Sequence, residues 1–518
     1  MTNKSKLFLL LPLLGTAASL ASCGSSKIDP YDLDFTVDTN GVTIQMWHPF
    51  GSDMGGYLEE VIDLFTQETG IKVELEGKGG YDNLQKAITL GAGKGKIPGI
   101  TLAYPDHMAS YVDNDSILRL DYYFENDGDD DFNISDFYSD YMVENQSIEK
   151  KEDGSGFYTL GVPFNKSTEL MYYNKTFFDW ASAQDSSIKV PSTWAEVGSI
   201  STAILNLLEN KGLYGKILGS DGNLYTRATE LPEGVSATLN FSAVDANSFH
   251  PFTYDSQANF FITTIRQWGG TYTEFDSSTR KGYMAFNTQE TIEGLTYMKN
   301  LHDTCRLAIP AEYGGTSKYS SSYFKNWQSL MTIGSSAGAT NSAPSGDAFE
   351  VGVAPLPYKD EQHKYAISQG TNLILMDVGT VAQRVASWKL LKYLSKTQNG
   401  LFAARSAYYP SCEYAQNSEE YQDALTRNNP ATATEKPSTA QALHYYVAQV
   451  NSDYYMKKSE NWTKFVDPGF SGSSVIRTEV GSAMGLLFIG DESGQAMSAQ
   501  QVVDYFYNNS DLKGYVRS

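Results

Sequence analysis

Histidine and cysteine are scarce in this chain, at six and three among 518 residues. With no clustered Cys and His at ligand spacing and no H-E-x-x-H helix, the sequence encodes neither a zinc centre nor a disulfide scaffold. Cations are also few: 39 Lys and Arg stand against 61 Asp and Glu, a formal charge of −22. That balance removes the basic footprint that nucleic acid or an anionic membrane surface requires, and it promotes solubility instead. Internal repeats are absent, which argues against solenoids and modular adhesins. Beyond the N-terminal segment no stretch reaches the roughly 20 apolar residues of a spanning helix.

What is present points to a large globular protein. Hydrophobic residues make up 41% of the chain and aromatic residues 13%, and the length allows two or three domains. The 35 tyrosines suit a surface that stacks on polar ligands while still forming hydrogen bonds.

The N-terminus carries Lys4 and Lys6, then an apolar run from Leu7 to Leu20, then polar Gly24-Ser25-Ser26-Lys27. This is the layout of an export signal over residues 1–22. The run ends in Leu20-Ala21-Ser22-Cys23, which resembles the lipobox of bacterial lipoproteins, in which the cysteine thiol takes a diacylglycerol and becomes the mature N-terminus. Two acyl chains suffice for stable anchoring. The expectation is a protein lipid-anchored at Cys23 on the extracellular face of the cell membrane, with residues 23–40 as a flexible stalk and 41–518 as the folded region. Cys305 and Cys412 remain, and the sequence leaves open whether they pair.

Val42 to Trp47 reads as a strand that Pro49 terminates. Tyr57 to Thr69 reads as a helix with Leu58, Val61, Ile62 and Phe65 on one face, stopped by Gly70, and Ile71 to Leu75 reads as a second strand. Strand, helix, strand opens a βαβ unit, so the expected class is α/β. Further strands are predicted at Ile100–Ala103, Leu170–Tyr173, Val351–Ala354 and Leu373–Met376. Helices are predicted at Thr193–Leu208, with a Thr193/Glu196 capping box, and at Thr291–His302 and Val381–Ser395. Two α/β lobes account for the alternation. The acidic run Asp127-Gly128-Asp129-Asp130-Asp131 alternates carboxylates as a calcium loop does, but Phe132 and Tyr138 stand where such a loop needs glycine and glutamate, so it reads as a solvated loop.

A strand ending in Trp47-His48, then Tyr172-Tyr173-Asn174-Lys175, Pro191-Ser192-Thr193-Trp194, Met331 to Ser335 and Val353-Ala354-Pro355-Leu356-Pro357 resemble, in this order, segments of the extracellular solute-binding proteins of carbohydrate ABC importers. Within that family the sequence is similar to the branch that binds sn-glycerol-3-phosphate and glycerophosphodiesters. Lys78-Gly79-Gly80-Tyr81, Pro163 to Thr168, Gly334-Ser335-Ser336, Ala366 to Gly370, Tyr408-Tyr409-Pro410 and Ile476-Arg477 carry that likeness. The resemblance implies a two-lobed (type II) periplasmic-binding-protein-like fold that closes by a hinge on a small solute. It further implies an ABC permease as partner, no cofactor, and Tyr81, Ser167, Ser335, Gly370, Tyr408 and Arg477 at ligand-contacting positions. A guanidinium presents two planar donors to a phosphate, and glycine lets the backbone approach an anion.

By residue type alone, Arg477 could instead form a surface salt bridge, Ser167 and Ser335 could cap helices, and Tyr81 and Tyr408 could be core or rim aromatics. Where the family holds a carboxylate for the glycerol hydroxyls, this chain reads Tyr104-Pro105-Asp106, so Asp106 is the candidate, displaced along the chain. The family's tryptophan pair is replaced between Phe249 and Phe261 by Phe252, Tyr254 and Phe260. The segment 217–248 has no counterpart and is read as an insertion near the cleft. A neutral sugar is the alternative solute.

Catalysis is not expected. Carboxylates are scattered rather than paired for glycoside hydrolysis. The string Gly334-Ser335-Ser336-Ala337-Gly338 fits G-x-S-x-G, but the residues after it, Ala339 to Gly346, have loop composition where a nucleophile elbow requires a helix.

Overall fold

A computed structural model describes residues 29–517 apart from 315, 316 and 318; the export signal and Cys23 lie outside the described residues. Two hydrophobic cores form, each around a five-stranded sheet. In the first lobe, β1 (Thr43–His48) pairs in parallel with β2 (Lys72–Gly77) and β3 (Ile100–Ala103), and the strand Gln369–Leu375 runs antiparallel to both β3 and β4 (Val162–Ser167). Helix α1 (Ser52–Thr69) buries Leu58, Val61, Ile62 and Phe65 against this sheet. It stops at Gly70 because φ of 72° there turns the glycine N–H back onto the Thr66 carbonyl.

The second sheet is ordered Leu307–Ala308, Phe252–Tyr254, Met331–Ser335, β5 (Glu169–Asn174), Val351–Pro355. The predicted capping box is formed: Thr193 Oγ1 accepts from the Glu196 N–H, and Glu196 accepts from the Thr193 N–H. The helix at Val381 keeps α geometry to Lys392 and widens into a π turn through Thr397.

The chain passes between the lobes repeatedly. Only Thr168 separates β4 from β5, and its hydroxyl donates to the Ile367 carbonyl at 2.7 Å on the next crossing. There Tyr365–Ile367 pairs in parallel with Thr463–Phe465. A third passage lies between Ala415, packed in the first core, and Leu443, packed in the second. These interleaved crossings give the two-lobed α/β architecture expected.

Several expectations are corrected. Of the segment read as a stalk, residues 29–40 lie against the first lobe: Leu33 is buried there, Phe35 packs edge-on to Tyr123, and the Tyr31 hydroxyl accepts from the Arg119 N–H. Tyr31, Leu33 and Phe35, spaced two residues apart, favour docking over solvation. The acidic run is not simply solvated, because Asp127 is buried and accepts from Trp388 Nε1 at 2.7 Å and Lys392 Nζ at 2.9 Å, and Asp129 also takes Lys392. No carboxylate cluster fit to hold a metal occurs among the described residues. The segment 217–248 forms a three-stranded sheet that packs Leu239, Phe241 and Val244 into the second core, and none of its residues lines the cavity between the lobes.

Cys305 and Cys412 are free and buried, one in each core. After Ser335 the chain forms the 3₁₀ helix Ser336–Ser342 rather than a loop. Ser336 is nevertheless fully buried with its Oγ accepting the Thr168 N–H, a structural position closed to substrate.

Candidate functional site

A cavity of about 310 Å³ opens where the lobes meet. The first lobe contributes Tyr81 and Asp82, which begin α2 (Tyr81–Gly91), and Tyr104 to His107, where β3 passes into α3 (Pro105–Asp113). Gly79 and Gly80, at φ of 69° and 131°, make the turn that aims Tyr81 inward. The crossing segment Ile367 to Gly370 forms the floor. The second lobe contributes Tyr272, the loop Val466 to Gly469, and Arg477 on the helix Ser473–Glu479.

Tyr81 and Tyr104 face each other with ring centroids 4.8 Å apart, and the Tyr81 hydroxyl accepts from Asn165 Nδ2. Burial raises the hydroxyl pKa of Tyr81, Tyr104 and Tyr272, so these groups stay neutral and can both donate and accept. Asp106 accepts from the His107 N–H at 2.9 Å. Burial pushes the Asp467 carboxyl up to about 6, although the Arg477 and Arg266 charges pull it back. Among the described residues no carboxylate stands within ion-pair distance of Arg477. Its Nη2 donates to Asn259 Oδ1, while Asn259 Nδ2 donates to Glu169 Oε1 at 2.8 Å and the Tyr254 hydroxyl donates to Glu169 Oε2. Burial raises Glu169 to about 7 against those bonds.

At the cavity edge the lobes touch. A Cβ on Gly469 would lie 2.6 Å from the Pro105 carbonyl, and Arg280 pairs with Asp113 across the lobes at 2.6 Å.

Of the residues proposed from sequence, Tyr81, Asp106, Gly370 and Arg477 line this one cavity. Tyr408 stands behind Tyr81, its ring stacked on Phe402 and its hydroxyl interacting with that of Tyr81. Ser167 is buried in β4 opposite Gln369. Ser335 caps the 3₁₀ helix through the Ala337 N–H. Gly370 has φ of 91°, and a Cβ there would collide with the Asn165 carbonyl, so glycine is required where β4 and the floor strand meet closely. Phe252, Tyr254 and Phe260 are core residues, and Tyr104 and Tyr272 supply the cavity's aromatic faces instead. Sequence reading missed Tyr272, Asp467 and the Asn259–Glu169 pair. Only Asp467 carried a local signal, a carboxylate in an Asp-Pro-Gly sequence.

A cavity between two lobes, walled by tyrosine rings with a few charged and polar groups, is the site of a solute-binding protein. The chain belongs to the bacterial extracellular solute-binding protein family, whose profile matches residues 60–467. It is 27% identical over 176 residues to the sn-glycerol-3-phosphate-binding periplasmic protein UgpB of Yersinia pestis; the match covers 32% of this chain and only 36% of that relative. Among solved structures it resembles UgpB from Mycobacterium tuberculosis in complex with glycerophosphocholine (TM-score 0.57, 15% identity, 89% of this chain and 96% of that one). It also resembles the maltose/maltodextrin-binding domain MalE from Bdellovibrio bacteriovorus bound to maltotriose (TM-score 0.56, 17% identity, 90% of this chain and all of that one).

Proposed function

We propose that this protein is the extracellular receptor of an ABC importer, tethered through lipidated Cys23, that captures a glycerophosphodiester by lobe closure and hands it unchanged to a permease. The observation that carries the reading is Arg477: a guanidinium lines the cavity with no carboxylate within ion-pair distance among the described residues, which leaves donors for a phosphate. One guanidinium matches a singly charged phosphodiester. The Asp106 carboxylate beside the tyrosine rings suits its hydroxyl-bearing or cationic end, whereas Asp467, on which the Arg477 charge acts, stands on the phosphate side. The volume lies at the small end of ligand pockets, which disfavours long oligosaccharides.

A neutral sugar is the second reading, favoured by two carboxylates, Asp106 and Asp467, in a cavity with aromatic faces. Calorimetry with glycerophosphocholine, sn-glycerol-3-phosphate, maltose and maltotriose separates the two. Binding confined to the phosphate esters supports the proposal, and binding confined to the sugars overturns it.

The pH response is a second check. Asp467 ionises near 6, so it is neutral at pH 5 and anionic at pH 7.5, whereas a phosphodiester keeps its charge throughout. Affinity for glycerophosphocholine is expected to rise about three- to tenfold as pH falls across that window, the equivalent of up to about one pKa unit of coupling. Asp467→Asn should flatten the profile, which separates this carboxyl from Glu169. A wild-type profile that is flat, or rises with pH, counts against Asp467 facing the anion.

A further inference from the structure

We infer that Asn259 and Glu169, neither of which lines the cavity, position Arg477 for the solute. The inference rests on the reading above that Arg477 is the phosphate contact. A guanidinium only donates and a carboxylate only accepts, so the side chain between them must accept on one side and donate on the other. Asn259 does this: its Oδ1 takes Arg477 Nη2 and its Nδ2 gives to Glu169 Oε1 at 2.8 Å, which fixes the amide in one orientation.

The chain is rigid behind it. Asn259 and Glu169 are 2% and 1% exposed, the Tyr254 hydroxyl closes the second carboxylate oxygen, and the Tyr455 hydroxyl donates to the Glu169 carbonyl at 3.0 Å. Tyr254 is itself held by stacking on Phe260, with centroids 4.3 Å apart. Glu169 follows Thr168 directly, so the anchor starts at the crossing between lobes. A long, flexible side chain on a short helix is thereby pre-set, and the ordering entropy of its rotamers is not charged against binding.

Asn259→Leu keeps the branched shape, with bulkier methyl groups in place of the amide, and deletes both bonds. It is expected to weaken glycerophosphocholine binding about tenfold, as is Glu169→Leu, while Glu169→Gln, whose amide can still accept from Asn259 and donate to Tyr254, restores most of the loss. In an Arg477→Ala background Asn259→Leu should cost nothing further, which a merely structural role would not produce. The ligand-free arm is the Nη–Hη signals of arginine-labelled protein, assigned by their loss in Arg477→Lys: with Nη2 held by Asn259 they should stay resolved and exchange slowly with water in wild type, and average and broaden in Asn259→Leu. An unchanged signal, or an Asn259→Leu loss that persists without Arg477, overturns the inference. A changed signal with Arg477→Ala leaving phosphodiester affinity intact sustains the positioning and overturns only the solute reading.

Discussion

Arg477→Ala is expected to weaken glycerophosphodiester binding about 30-fold or more while leaving any residual affinity for maltose unchanged. The guanidinium faces a cavity walled by protein on both sides, and its charge already acts on the hydroxyls of Tyr104 and Tyr272 and on Asp467. Removing one partner of such an enclosed charge pair costs about 2–5 kcal/mol, and about 1.4 kcal/mol is tenfold in affinity. The formal charge of −22 does not oppose this, because charges beyond about 8 Å are screened at physiological salt. Arg477→Lys should fall between wild type and alanine, since the ammonium keeps the charge but loses the planar pair of donors. Calorimetry at fixed salt reads all three. Equal phosphodiester affinity in wild type and Arg477→Ala would falsify the phosphate assignment and leave the sugar reading standing.

Features set by nearby residues were legible in the sequence. The α1 stripe with its terminal glycine, β3, and the Thr193/Glu196 box depend on side-chain period and capping chemistry, and all three stand where expected. Features set by distant partners were not. Asp127 looked solvated until Trp388 and Lys392 were folded onto it. The residues after Ser336 looked like loop because Ser, Gly, Thr and Asn are poor α-helix formers, yet a capped 3₁₀ helix tolerates them.

The cavity shows the same division. Tyr81 and Arg477 come from different lobes and meet because the chain crosses between the lobes, and motif resemblance could pick them out residue by residue. Matching a motif fixes chain position but not side-chain direction. Ser167 and Ser335 therefore fall one layer away, and Tyr408 supports Tyr81 from behind. Asn259 and Glu169 gave no signal at all, because a buried Asn between an arginine and a carboxylate is recognised only once all three are in contact.

The largest stability effect is expected at the cavity floor, in an ion pair whose Glu144 also lines the cavity. Lys166 Nζ pairs with Glu144 Oε1 at 2.6 Å with the two side chains 0% and 2% exposed, and the same ammonium donates to the Gly370 carbonyl at 3.3 Å. Glu144 also accepts from Asn372 Nδ2, and Asn372 Oδ1 accepts from Asn145 Nδ2 at 2.9 Å. The pair thus joins β4, the floor strand and the 3₁₀ turn Val143–Gln146 at the place where the chain leaves the first lobe. Lys166→Ala leaves a carboxylate buried without its cation, which typically costs about 3–5 kcal/mol. Lys464, whose ammonium burial holds down at about 8 and which the Lys166 charge lowers further, gains slightly from the loss, but its own bond goes to the Tyr141 hydroxyl. Urea unfolding followed by tyrosine and tryptophan fluorescence should show a lower midpoint for Lys166→Ala, and Lys166→Met combined with Glu144→Leu should recover most of it because neither charge is then stranded. If the single variant lost less than about 1 kcal/mol, or the double variant lost more than the single, the ion pair would not be what holds the floor in place.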